Sequence, residues 1–274
     1  PPSLCPMSSL RHTPDQLGRA VRLPHPPQRI VSTVPSQTEL LYDLGLGDRV
    51  VGITKFCEAP PHWRREKTLI GGTKRFHFDR IDTLQPDLII GNKEENEKSQ
   101  IERLARRYPV WMSDIATLDD ALAMIAAVGD LVDRTSQAQQ LKARIQVHFE
   151  QLARDLAGQP RQRVAYLIWR KPYMVAASGT FIHHLLDRAG YDNVFADRQR
   201  YPTVSAAELQ ATAPDCLFLS SEPFPFRERH CEELRDICPA SVIQLVDGGL
   251  FSWYGSRLLH AAPYFLNLRV QAQN

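Results

Sequence analysis

Residues Asp79–Gly91 read DRIDTLQPDLIIG, and residues Ala207–Ser220 read AELQATAPDCLFLS. In each, an acidic, helix-compatible stretch runs into Pro-Asp and then into an apolar run of strand type. Between the copies lies a long segment with almost no turn signal. Two similar α/β lobes joined by one helix is the simplest architecture for such a chain, and the cleft between two lobes is a place to hold a ligand.

Working outward, Arg29–Val34 is a short β-branched run ended by Pro35. Ser36 reads as a helix N-cap with Glu39 as its capping-box partner. The helix Gln37–Leu44 stops at Gly45 and Gly47, and Val50–Ile53 is the next strand. Strand, helix, strand at this spacing is the signature of a parallel α/β sheet. Residues 1–27, rich in Pro and ending in Leu23-Pro24-His25-Pro26-Pro27, predict an extended arm or edge strand. Residues 28–115 then form the first lobe, with a helix over Gln100–Tyr108.

From Thr117 to Gly158 the pattern is helical. Asp119–Val132 is one helix, and a second runs from about Ser136 to Ala157 with Leu141, Ile145, Phe149, Leu152 and Leu156 on one face. That second helix would span roughly 33 Å, enough to brace two small domains, so 116–160 is taken as the connecting helical segment. The second lobe, 161–274, opens on the strand Val164–Trp169. It contains helices over Phe181–Ala189 and near 227–235, and closes on a helix from about Arg257 to Val270 that Pro263 should kink or delay.

The 274 residues are 43% hydrophobic and 23% charged, ordinary for a globular protein. A net charge of +2 gives no general case for nucleic acid or membrane surfaces. No apolar run approaches the roughly 18 residues of a membrane span. The five cysteines, Cys5, Cys57, Cys216, Cys231 and Cys238, include no C-x-x-C pair, which disfavours a zinc ribbon or thioredoxin-type site. They read as free thiols, with Cys216 buried in a strand; Cys231 and Cys238 would be the pair to join in an oxidising compartment. The start of the sequence has no apolar stretch of signal-peptide type. Either Met7 is a natural start or an export signal has been removed.

The order Arg-Ile-Val-Ser-x-x-Pro-Ser-x-Thr-Glu-Leu at 29–40, then Gly-Leu-Gly-Asp-Arg-Val-Val-Gly-Ile-Thr at 45–54, resembles the start of class III periplasmic binding proteins. These are the helical-backbone receptors for vitamin B12, iron-siderophores and haem. The Pro-Asp repeat and the long helix match them too, over residues 28 to about 270, and the chain is most similar to the cobalamin-binding branch. The resemblance implies two Rossmann-like lobes joined by a single long backbone helix. It implies a cobalamin or other corrinoid, or else an iron chelate, bound between them. It implies delivery to the membrane subunits of an ABC importer from the periplasm, with no enzymatic chemistry and no intrinsic cofactor; a monomer is expected. In this family one carboxylate per lobe docks onto the importer. Those positions fall on Asp79, where Glu is usual, and on Ala207, with Glu208 next. Asp79 and Glu208 read equally well as solvated helix-end acids favoured by the dipole.

Large chelates suit aromatic walls, on loops after strand carboxyl ends. In the first lobe these are Phe56, Trp63 and the turn carrying Lys74 and Arg75, which falls near a tryptophan of the cobalamin receptors. In the second lobe they are Trp169, Arg170, Tyr201, Phe251, Trp253, Tyr254 and Arg257, with Tyr201 matching a family aromatic. Trp169, Tyr201 and Trp253 are expected at the ligand, Trp111 in the core, and Trp63 fits either place. Ser36 at a helix start would add an anion contact.

A bare-metal receptor is disfavoured. His62, His77, His183, His184, His230 and His260 are scattered, adjacent His183 and His184 point about 100° apart on a helix, and no H-E-x-x-H occurs, so no metal site is expected. An enzyme is disfavoured by the lack of a G-x-S-x-G elbow, a P-loop or a dinucleotide fingerprint. A cytoplasmic chelate-handling protein on the same fold, without importer docking, is the remaining alternative.

Overall fold

The computed structural model describes residues 9–271, so the readings at Cys5 and Met7 lie outside it. The chain packs as two units. The first holds the residues up to Ile115, Asp119–Ala143 and Tyr254–Ser256; the second holds Ala116–Leu118, Arg144–Trp253 and the residues from Arg257 onward.

The first unit opens on an antiparallel hairpin, β1 (Ser9–Pro14) and β2 (Ala20–His25), where an extended arm or edge strand was expected. A five-stranded sheet follows, β3 (Ile30–Ser32), β4 (Val50–Ile53), β5 (Thr68–Leu69), β6 (Leu88–Asn92) and β7 (Val110–Ser113), all parallel, in the order β5-β4-β3-β6-β7. Its helices are α1 (Pro35–Asp43), α2 (Trp63–Glu66), α3 (Phe78–Leu84) and α4 (Lys98–Ala105). Ile30, Val31, Leu88, Ile89 and Ile90 are fully buried, which is why these strands read as unbroken apolar runs. The expected cap at Ser36 is not formed: Val34 is the N-cap, without a side-chain bond, and Pro35 opens α1. Proline is suited to that first position because its missing N–H would have had no helical partner there.

Beyond β7 run α5 (Leu118–Leu131) and α6 (Thr135–Asp155). The helical segment does not stand as a unit of its own. The boundary between the units falls inside α6, after Ala143.

The second unit contains β8 (Gln162–Trp169), β9 (Tyr173–Val175), α7 (Phe181–Arg188), β10 (Tyr191–Asn193), β11 (Thr203–Val204), α8 (Ala206–Thr212), β12 (Cys216–Ser220), α9 (Glu228–Ile237), β13 (Val242–Val246), α10 (Gly248–Ser252) and α11 (Leu258–Gln271). Its sheet runs β11-β9-β8-β12-β13, with β10 also on β8. β8, β10, β12 and β13 are parallel, while β9 and β11 add an antiparallel edge. Pro263 sits inside α11, so the Leu259 carbonyl has no helical N–H four residues on. His148 of α6 fills the place, with Nδ1 2.8 Å from that oxygen.

The repeat has one structural job in both units. α3 and α8 each end on a left-handed residue, Gln85 (φ 43°) and Ala213 (φ 43°), just before the Pro-Asp pair. The aspartate then clamps the amino end of the neighbouring strand. Asp87 accepts from the backbone N–H of Gln28 (2.7 Å) and Arg29 (2.8 Å), and Asp215 from that of Arg163 (2.7 Å). The arginine returns the bond to the helix end: Arg29 Nε donates to Leu84 O (2.7 Å), and Arg163 Nη2 to Thr212 O (2.7 Å). Helix terminus, strand start and neighbouring strand are locked together by one acid and one arginine.

Candidate functional site

In open α/β sheets ligands meet the loops that leave the carboxyl ends of the strands. In the first unit these loops stand on a buried polar layer. Asn96 Nδ2 donates to Thr33 O (3.1 Å) and Thr73 O (2.9 Å), and its Oδ1 accepts from Asn92 N (2.9 Å) and Thr33 Oγ1 (2.8 Å). Gln37 Nε2 donates to Ser113 Oγ (2.7 Å). A Cβ at Gly91 would stand 2.6 Å from Asn96 Oδ1 and 2.9 Å from Thr33 Oγ1, so only glycine lets the layer close. Ser36 Oγ and Gln37 Oε1 are buried here without a hydrogen-bond partner.

Above this layer Phe56 is 51% exposed, with its ring against the Gly72 turn and Lys55 Nζ 5.0 Å from its centre. Gly71 has φ 110°, and a Cβ there would stand 2.5 Å from Arg75 O, so glycine is required to close the turn that holds Lys74 and Arg75 outward. Lys74 Nζ donates to Glu94 O (2.6 Å), tying this turn to the loop after β6. Trp63 does not join them. It is 2% exposed, edge-on to Tyr42 (5.4 Å) and covered by Lys67 (5.2 Å), and belongs to the core. Cys57 is buried against Thr38 (3.1 Å) and Thr54 (3.3 Å), and burial pushes its thiol up, away from the reactive thiolate.

In the second unit Trp169, at the carboxyl end of β8, is 40% exposed and leans on Phe224 (5.7 Å). Arg170 is committed elsewhere: it pairs with Glu233 (2.5 Å), which also accepts from the Tyr173 hydroxyl (2.5 Å). Arg170 holds the Glu233 carboxyl low, and burial together with Glu233 pushes the Tyr173 phenol up to about 12.

The loops after β12 and β13 assemble a group that sequence reasoning missed in part. Glu222 Oε1 accepts from Trp253 Nε1 (2.8 Å) and Ser252 Oγ (2.7 Å). The Arg257 guanidinium stacks 4.0 Å from the centre of the Trp253 ring. Burial raises the Glu222 carboxyl, against the opposing pull of its two donors and Arg257. A Cβ at Gly249 would stand 2.8 Å from Arg257 Nη1, so the Gly248-Gly249 pair makes room for the arginine. The signal for Glu222 was its place directly after a strand. Phe251 is a correction: it is 0% exposed, packed on Phe265 (4.5 Å), Tyr166 (5.1 Å) and Phe218 (6.0 Å). The single turn of α10 points Phe251 into the core and Ser252 toward Glu222. Tyr201 is half-buried, with Arg200 5.9 Å from its ring.

Asp79 is exposed in the first turn of α3. Glu208 is engaged. It forms a capping box with Ser205 and pairs with Arg198 (2.7 Å), bonds that lower its carboxyl to about 2. Among the described residues no three His, Cys, Asp or Glu side chains come together as metal ligands, and no helix is long and apolar enough to cross a membrane. Cys57, Cys216, Cys231 and Cys238 are free and buried.

Two α/β units with aromatic and cationic loops at their strand ends define a solute-binding protein, and the chain belongs to the periplasmic binding protein family, whose model matches residues 30–234. Within that family it is of the non-enzymatic group that includes vitamin B12, siderophore and haem receptors. It is 27% identical to the vitamin B12-binding protein of Vibrio cholerae over 210 residues, 76% of this chain and 74% of that protein. Two solved structures share the fold. The periplasmic vitamin B12 binding protein BtuF of Vibrio cholerae is 23% identical, covers 91% of this chain and 99% of its own, and has a TM-score of 0.78. The haem-binding protein RhuT of Roseiflexus sp. RS-1 is also 23% identical, with coverage of 90% and 99% and a TM-score of 0.78.

Proposed function

We propose that the protein captures a metal chelate, a corrinoid in the first place, on the carboxyl-end loops of its sheets and presents it to an ABC importer. The observation that carries this reading is the aromatic and cationic character of those loops: Trp169 exposed, Arg257 stacked on Trp253, Phe56 beside Lys55, and Lys74 and Arg75 exposed on the next turn. Flat rings cover a large, partly apolar ligand at low entropy cost, and the cations suit its phosphate or carboxylate groups. The vitamin B12-binding relative favours a corrinoid; haem, with its two carboxylates, or an iron-siderophore is the second reading. Asp79 is the stronger candidate for importer docking, because the carboxylate of Glu208 is already held by Ser205 and Arg198. Periplasmic residence follows the family; the four free, buried cysteines favour the cytoplasmic alternative.

Trp63 and Trp111 are buried, so ligand-dependent fluorescence would report on Trp169 and Trp253. Cyanocobalamin, cobinamide, haem and a ferric hydroxamate should be titrated against the purified protein. Quenching that saturates at micromolar concentration is expected for the first two. Quenching by none of the four would overturn the proposal.

A further inference from the structure

At the amino edge of the second sheet, β10 starts beside β8, with Tyr191 opposite Gln162. A cavity of about 250 Å³ opens there, lined by Ala153 and Leu156 at the end of α6 and by Arg161, Asp187, Arg188, Gly190 and Arg269. It lies at the other end of β8 from Trp169, roughly 23 Å away at the rise of an extended strand.

Arg269 is 2% exposed. Its Nη1 donates to Gln162 Oε1 (2.6 Å), its Nη2 to Pro160 O (2.5 Å), and its guanidinium stands 5.1 Å from the Tyr191 ring. All of these partners are neutral, and among the described residues no carboxylate pairs with it. Its Nε is buried without a hydrogen-bond partner. A buried cation without a counter-ion is costly, so structures normally supply one. Arg161 shows the ordinary arrangement, paired to Asp187 (2.8 Å) and Asp192 (2.6 Å). Three arginines thus line the cavity with one acid, Asp187, which is bound to Arg161, leaving Arg188 and Arg269 toward the cavity. Gly190 has φ 79°, and a Cβ there would stand 3.3 Å from Leu156 Cδ1 and 3.8 Å from Arg269 Nε. Glycine there spares Leu156 a tight contact and leaves the chain close against that nitrogen.

We propose that this cavity binds a small oxyanion, a phosphate or a carboxylate with a short apolar body. The anionic head completes Arg269 and is met by Arg188, and the apolar part lies over Ala153 and Leu156. The volume suits such an acid and excludes a chelate of corrinoid size. Because the cavity joins the ends of α6 and α11 to the sheet, occupancy stabilises the second unit by mass action.

Thermal unfolding of the full chain tests this, in inorganic phosphate and in butyrate, each against chloride at matched ionic strength. A saturable rise in midpoint with one of the two anions is expected, and which anion acts separates phosphate from carboxylate. Arg188→Ala should weaken the apparent affinity about tenfold, as for loss of one charge-assisted contact. Ala153→Phe, at an exposed helix position that lines the cavity, should abolish the response, read against its own midpoint in chloride. No anion-dependent shift in the wild type, or an equal shift in Ala153→Phe, overturns the proposal.

Discussion

Trp169→Ala removes the most exposed ring among the second unit's candidates, and its cost can be worked from burial. The side chain is 40% exposed. An aromatic of this size offers up to roughly 250 Å², so roughly 100 Å² remains for a ligand to cover. At about 25 cal/mol per Å² full coverage is worth about 2.5 kcal/mol, and half coverage about 1.2 kcal/mol. The dissociation constant for cyanocobalamin should therefore rise between about 8-fold and about 60-fold. The covered part of the ring rests on Phe224 (5.7 Å), so Trp169→Phe, which keeps part of that contact, should recover part of the affinity. Isothermal titration gives the constants, and urea unfolding of the same variants shows whether the fold is intact. An affinity within twofold of wild type, with the fold intact, would place Trp169 outside the binding surface.

Three further predictions concern the fold, the buried acid and the importer. His148→Ala should cost about 1 kcal/mol in urea unfolding, the net worth of one hydrogen bond, but almost nothing in a Pro263→Ala background, where an N–H returns to Leu259 O; equal costs in both backgrounds would sever the link between the two residues. Glu222 holds its proton to higher pH in the folded chain than its ordinary 4.5, so stability falls as pH rises from 4.5 through the folded value. Glu222→Gln keeps the acceptor for Trp253 and Ser252, and should match wild type at pH 4 and exceed it at pH 8; a constant difference across that range would contradict the burial effect. Asp79→Ala combined with Glu208→Ala should abolish stimulation of an importer's ATPase, and full stimulation would remove these acids from docking.

The repeat was legible because its parts are local: an apolar run, a Pro-Asp pair and a helix-compatible stretch. Its meaning was not, because the bonds of Asp87 and Asp215 go to strand starts far away in sequence. Gln28-Arg29 and Gln162-Arg163 open the two clamped strands alike, a second repeat visible once the first is understood. The Ser36 cap failed because Pro35 takes the first helical position and moves the cap to Val34. Phe251 failed, and Trp63 was left open, for a different reason. A loop aromatic reads the same whether it turns inward or outward, and that choice is made by a single helical turn and its neighbours, Tyr42 for one and Phe265 for the other. Glu222 was missed because no short motif marks an acid that becomes buried by tertiary packing.

Equilibrium dialysis of the purified protein against cyanocobalamin, haem and a ferric hydroxamate, each in turn, tests the chelate-capture proposal most directly. Retention of one cyanocobalamin per chain, at least tenfold tighter than the other two, is the predicted result. Tighter retention of haem or the hydroxamate would contradict the corrinoid assignment, and retention of none would contradict chelate capture itself.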